Sequence, residues 1–129
     1  MAPAPRRKAT TPVTSVDDAP QKPFLRFYHS ETLREKTLAV LLRLEQTDEP
    51  IEHASDLADV VIELMNSGMD YFFMQPLKES KAGFILQQSA NLGLVGAQQL
   101  IGSVIRKILL RMDGAQLVSV SGSIRRLMV

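Results

Sequence analysis

The chain has no cysteine and no tryptophan, and its aromatic residues are five Phe and two Tyr. Without cysteine there is no disulfide framework, thiol nucleophile, zinc ribbon or thiolate-held cluster, and a reducing, cytoplasmic setting is the natural expectation. Histidine is scarce as well: His29 and His53 are the only two. His53 has Glu49, Glu52 and Asp56 close by in sequence. That spacing matches neither His-Glu-x-x-His nor a paired Glu-x-x-His pattern, so no metal site is predicted there. Ser119, Ser121 and Ser123 lack a Gly-x-Ser-x-Gly setting, and no nucleophile stands near a base, so no catalytic residue is proposed. The glycines of the second half form no GxGxxG and precede no Lys-Ser or Lys-Thr, which removes a phosphate-cradling loop. The expectation is a protein without a cofactor, and not an enzyme.

What remains is 129 residues, 45% hydrophobic, with a net charge of +1. That is enough chain for one core of ordinary size. Five of the seven prolines, Pro3, Pro5, Pro12, Pro20 and Pro23, crowd the beginning. Each removes a backbone donor and disfavours helix in the residue before it, so residues 1–25 are expected to be a disordered arm ahead of a helical domain over 26–129. The run after Arg6, Arg7 and Lys8 is polar, unlike that of an export signal.

The small net charge conceals segregation. Residues 1–29 hold five cations against two carboxylates (+3), residues 30–81 five against eleven (−6), and residues 82–129 five against one (+4). Packing of the acidic half on the basic half, within or between chains, accounts for this. A basic face of Arg106, Lys107, Arg111, Arg125 and Arg126 offered to nucleic acid or anionic lipid is the sharper reading.

Helical periodicity dominates the domain. Leu33, Val40, Leu41 and Leu44 share a face from about residue 31 to 47, with Thr32 and Glu35 spaced as a capping box and Pro50 closing the segment. Leu57, Val60, Val61, Leu64, Met65 and Phe72 repeat the pattern after a cap at Ser55 or Asp56, with Gly68 either ending the helix or lying inside it. Tyr71, Phe72, Phe73 and Met74 form the densest bulky patch, and Pro76 suits the first turn of a new helix.

From Ala82 to Ile105 there is no charge, yet seven polar side chains punctuate those 24 residues, which argues against a membrane span. On a helix, Leu86, Ala90, Gly93, Ala97, Leu100 or Ile101, Val104 and Ile108 make one stripe that is small in its middle. Glycine inside a helix is destabilising by ~0.8–1 kcal/mol, and close approach of another helix offsets that. Tight helix pairing at Ala90–Ala97 is therefore predicted, with Asp113-Gly114 ending the helix. A break at Gly93–Gly96 is the rival. Residues 115–129 fit a helix or a strand, and helix is preferred for want of a partner strand.

The fold class expected is all-α, a bundle of four or five helices. The function expected is a helical protein-interaction or oligomerisation module, a small regulatory or adaptor protein. Its surface joins Tyr71, Phe72, Phe73 and Met74 to Ala90, Gly93 and Ala97, and its partner is a second copy or another protein. Gly93→Leu should then disrupt assembly or folding, and Gln98→Leu should be mild. Two alternatives stand beside it. One is a peripheral binder of lipid or another hydrophobic surface, using residues 82–105 and the basic half. The other is a nucleic-acid-associated regulator.

Overall fold

A computed structural model describes residues 22–128. The expected arm lies mostly outside them. The described residues are all-α, as periodicity requires: α1 (Glu31–Gln46), α2 (Ala54–Met69), α3 (Gln75–Glu79), α4 (Phe84–Leu110) and α5 (Gly114–Leu127), without a strand. A 3-10 turn (Pro50–His53) precedes α2, and a π turn (Asp70–Met74) joins α2 to α3. The backbone stays helical at Asp70 and Gln75, so α2, the π turn and α3 make one continuous rod. The wide turn stands just before Pro76, whose ring would collide with the Phe72 carbonyl in a regular α-turn.

Several local expectations are corrected. Helix α1 is capped by Ser30, whose hydroxyl accepts from the Leu33 N–H at 3.0 Å, rather than by Thr32. Helix α2 starts at Ala54 with His53 in the capping position and no side-chain cap, because the 3-10 turn already leads the chain into it; neither Ser55 nor Asp56 serves. Gly114 is not a stop. It lies in the first turn of α5, where Asp113 and Gln116 form a reciprocal capping box with bonds of 2.8 and 3.0 Å. Gly68 is inside its helix, and α4 runs unbroken through Gly93 and Gly96. Residues 114–127 are helix, as preferred.

The core draws Val40, Leu41 and Leu44 from α1, Ala54, Leu57, Ala58 and Val60 from α2, Leu109 from α4 and Leu117 from α5. Leu41, Leu57 and Leu117 are wholly buried, each removing surface worth about 1.5–3 kcal/mol from water. These residues sit where the start of α2 meets the end of α4. Toward the α3 end of the rod, Met74 is the one buried apolar side chain among the described residues. The extended segment 22–30 joins the fold through Phe27, which covers Gly68 and packs with Tyr71 and Phe72 at centroid separations of 6.3 and 6.1 Å.

The acidic and basic halves meet within the chain. Arg106 of α4 pairs with Asp59 of α2, and Arg125 of α5 pairs in two-pronged fashion with Glu45 of α1. Lys36–Glu63 at 2.8 Å and Arg43–Asp56 at 3.3 Å tie α1 to α2. All four pairs are solvent-accessible, so they orient the helices more than they stabilise them.

Candidate interaction surface

Helix α4 packs along α2, and three contacts fix which way it faces. At Gly102 an added Cβ would stand 3.6 Å from Ile62, Arg106 reaches Ser55 and Asp59, and Leu109 enters the core. On a 3.6-residue helix these inner positions share their side with Leu94, Gln98, Ile101 and Ile105, all partly buried. The opposite side therefore looks outward. There Leu86 keeps 57% of its surface, Leu100 69% and Val104 48%, with Ile85, Leu92 and Ile108 exposed beside them.

The small-residue stripe lies on this outward side, so the helix pairing expected at Ala90–Ala97 is not made by another helix among the described residues at Gly93 or Gly96. A Cβ added at Gly93 or at Gly96 would meet nothing within 4 Å. Ala90 is half-buried and Ala97 exposed. Close helix approach does occur, but at Gly102, the third glycine of the helix.

The bulky patch is divided rather than presented as one surface. Met74 is buried inside the chain, which withdraws it from any exposed surface. Tyr71 is half-buried in an aromatic cluster with Phe27, Tyr28 and Phe72, its ring 5.1 Å from that of Phe72. Phe72 and Phe73 remain exposed, at 45% and 50%. Of the basic residues, Arg106 and Arg125 are held by carboxylates and Arg126 donates to the Ser123 hydroxyl. Lys107 and Arg111 have no ion pair among the described residues and continue the outward side of α4 beyond Val104.

Two open cavities among the described residues lie away from the outward face of α4. One, of about 430 Å³, lies between Tyr28, Asp70, Tyr71 and Glu79. The other, of about 400 Å³, lies between Phe27, Leu64, Met65 and the α5 residues Ile124 and Leu127. Among the described residues no three His, Asp or Glu side chains are grouped to hold a metal ion. His53, half-buried at the start of α2, has no side-chain capping bond. Among the described residues, Lys36 and Glu49 are moved from their ordinary ranges, both at exposed positions. The Glu63 hydrogen bond raises the Lys36 ammonium, and the hydrogen bond and negative charge of Glu52 raise the Glu49 carboxyl.

No described helix is long and apolar enough to cross a membrane. Comparison with protein-family models, with curated proteins and with solved structures yields no match. The surface must therefore be read from its own chemistry.

Proposed function

We propose that this chain is a non-enzymatic helical module, cytoplasmic and regulatory or adaptor-like, that assembles through the outward face of α4. The observation that carries this reading is the solvent-facing position of Leu86, Leu100 and Val104 on a side of α4 that bears no charge from Ala82 to Ile105. Apolar surface of that extent on one side of a helix is the mark of a contact surface. Phe72 and Phe73 add exposed apolar area on the neighbouring rod. The inner faces and ion pairs already satisfy the fold, so the outward face is free to serve a partner.

Light scattering of the full chain over a rising concentration series tests the proposal. The expected mass exceeds the 14.3 kDa of one chain and falls back to it on dilution. Leu100→Lys should hold the protein at one chain while leaving its helical circular dichroism intact. A protein that keeps the mass of one chain at every concentration overturns self-assembly.

Lys107 and Arg111 favour a second reading. Two unpaired cations at the end of an uncharged apolar face suit an anionic lipid surface, on which α4 would lie flat. Anionic vesicles should then sediment the protein at low salt and release it at high salt. Nucleic acid is the weaker partner, since Arg106 and Arg125 are already neutralised by Asp59 and Glu45.

A further inference from the structure

We infer that the open cavity between segment 22–30, α2 and the end of α5 is a binding site for a single-chain anionic amphiphile. Its ligand is a free medium-chain carboxylate, with the tail in the cavity and the head on Arg26 and Arg34. This inference is independent of the assembly proposed above, since no residue of α4 lines the cavity.

The two sides of the cavity differ in chemistry. Leu64 and Met65 of α2, with Ile124, Leu127 and Met128 from the end of α5, make a side that carries no charge. Facing them is the start of the described chain, where Leu25 and Phe27 stand on either side of Arg26 and the first turn of α1 adds Arg34. No Asp or Glu lines the cavity among the described residues. An uncharged hydrocarbon or an organic cation would leave the guanidinium groups unanswered, whereas a carboxylate matches the arginine fork with two parallel hydrogen bonds. Arg26 has no ion pair among the described residues, and its guanidinium stacks over the Phe24 ring at 4.2 Å from the centroid. A stack of this kind occupies the face of the guanidinium and leaves the N–H donors at its edge for an anion.

The mouth of the cavity is apolar and left in water. Leu25 keeps 86% of its surface and Leu127 81%, the two most exposed leucines among the described residues, and both border this cavity. An alkyl chain laid between them covers that surface, and the flexible thioethers of Met65 and Met128 adapt to its shape. The volume of about 400 Å³ falls within the ~300–1,000 Å³ of small-ligand sites. A methylene takes up nearly the space of a water in the liquid, so the cavity suits a tail of about eight to twelve carbons. A concave site bounded on three sides takes one such chain from solution. A bilayer, by contrast, is met by side chains that project from a convex face.

Isothermal titration calorimetry of the full chain tests the inference, with sodium octanoate, sodium decanoate and decyltrimethylammonium bromide as probes, each below its micelle concentration. Decanoate is expected to saturate one site per chain. Burial of a methylene tightens binding about fourfold, so decanoate should bind roughly tenfold more tightly than octanoate. It should also bind at least tenfold more tightly than the cationic probe of the same tail length. Arg26→Gln should weaken decanoate several-fold, and Leu127→Asp, which sets a carboxylate at the mouth, should weaken it tenfold or more. Both positions are exposed, so helical circular dichroism should be unchanged, and Arg26→Gln carries the test alone if Leu127→Asp loses its helix. Leu100→Lys, on the outward face of α4, should leave decanoate binding as it was. The inference is overturned by the absence of saturable decanoate binding, by equal affinity for the cationic probe, or by an Arg26→Gln variant that binds decanoate as the parent does. Loss of decanoate binding in Leu100→Lys also overturns it and moves the tail to α4. Sedimentation with phosphatidylserine vesicles without any decanoate heat would assign the arginines to a membrane surface instead.

Discussion

Replacing both Gly93 and Gly96 by alanine should make the single chain more stable, which is the reverse of what a glycine seam packed inside the fold would give. Each residue lies in the interior of α4, and a Cβ at either position meets no atom within 4 Å. Alanine therefore adds no clash and recovers the helix propensity that glycine lacks, ~0.8–1 kcal/mol at each site and about 1.6–2 kcal/mol for the pair. For a domain near 100 residues this corresponds to a rise in Tm of roughly 6–8 °C. The measurement is thermal and urea unfolding by circular dichroism at high dilution, where any dimer has dissociated, repeated at high concentration. Gly102→Leu is the internal contrast: Ile62 stands 3.6 Å from the added Cβ, so the larger side chain overpacks and should be destabilising by about 1–3 kcal/mol. Gly93→Leu should leave the dilute protein folded while shifting the association equilibrium toward single chains. A fall in Tm for the double alanine variant at high dilution would refute the reasoning, because it requires a neighbour against those glycines within one chain.

Ser121 is wholly buried in α5, with a hydroxyl that has no hydrogen-bond partner. Ser121→Ala should therefore raise stability by about 1 kcal/mol in urea unfolding. Asp113→Ala removes one half of the capping box of α5 and should lower stability by about 0.5–2 kcal/mol in the same assay. Lys81 stands at φ 60, a left-handed conformation at the end of α3 that costs roughly 1–2 kcal/mol for a residue with a Cβ, so Lys81→Gly should raise Tm. The folded state raises the Glu49 carboxyl, first through its hydrogen bond with Glu52 and then because Glu52 disfavours a second charge. Any stability from that pair is present below the ordinary carboxylate range and is lost as pH rises through the raised value. Glu49→Gln should accordingly increase Tm slightly at pH 7 and have no benefit at pH 3 in a pH series of melts.

Helix identity was legible in the sequence because periodicity reports it locally, whereas orientation was not. For α1 the apolar residues Val40, Leu41 and Leu44 share one face, and they are the ones buried. For α4 the same logic has nothing to select with. Leu94, Ile101 and Ile105 on one side are as apolar as Leu86, Leu100 and Val104 on the other, and no charge marks the outside before Arg106. The choice of inner face is made by Gly102 against Ile62 and Arg106 against Asp59, contacts forty or more residues apart in sequence. The caps went astray for a simpler reason. Ser30 and Thr32 both offer a hydroxyl near the start of α1, and which one serves depends on where the first helical turn closes. At Asp113 the pattern Asp-x-x-Gln is present in the sequence, but a glycine after a helix carries the same signal as a stop, whereas Gly114 is a seat for Pro50, 3.5 Å from where a Cβ would stand. The Tyr71–Met74 patch divided because the π turn changes the angular step there, so adjacent side chains no longer follow the α-helical phase that places Phe72 with Leu57 and Leu64.

The uneven core links folding to the proposed assembly. Nine buried apolar residues hold the start of α2, the end of α4, α1 and α5 together, whereas the rest of the hairpin relies on Met74, partial burial of Leu94 and Gln98, and the Phe27 cluster. Local opening is easiest where buried apolar contacts are few, so the stretch from Asp70 to Ala97 is the least stable part of the domain when the chain is alone. That stretch also carries Gly93 and Gly96, which weaken an isolated helix, and Leu86 and Leu92, which are left in water. Each of these features is unfavourable for a solitary helix and favourable for one lying against another of the same kind. A partner on the outward face would thus stabilise the half of the fold that the core does not reach, and association and local order would rise together.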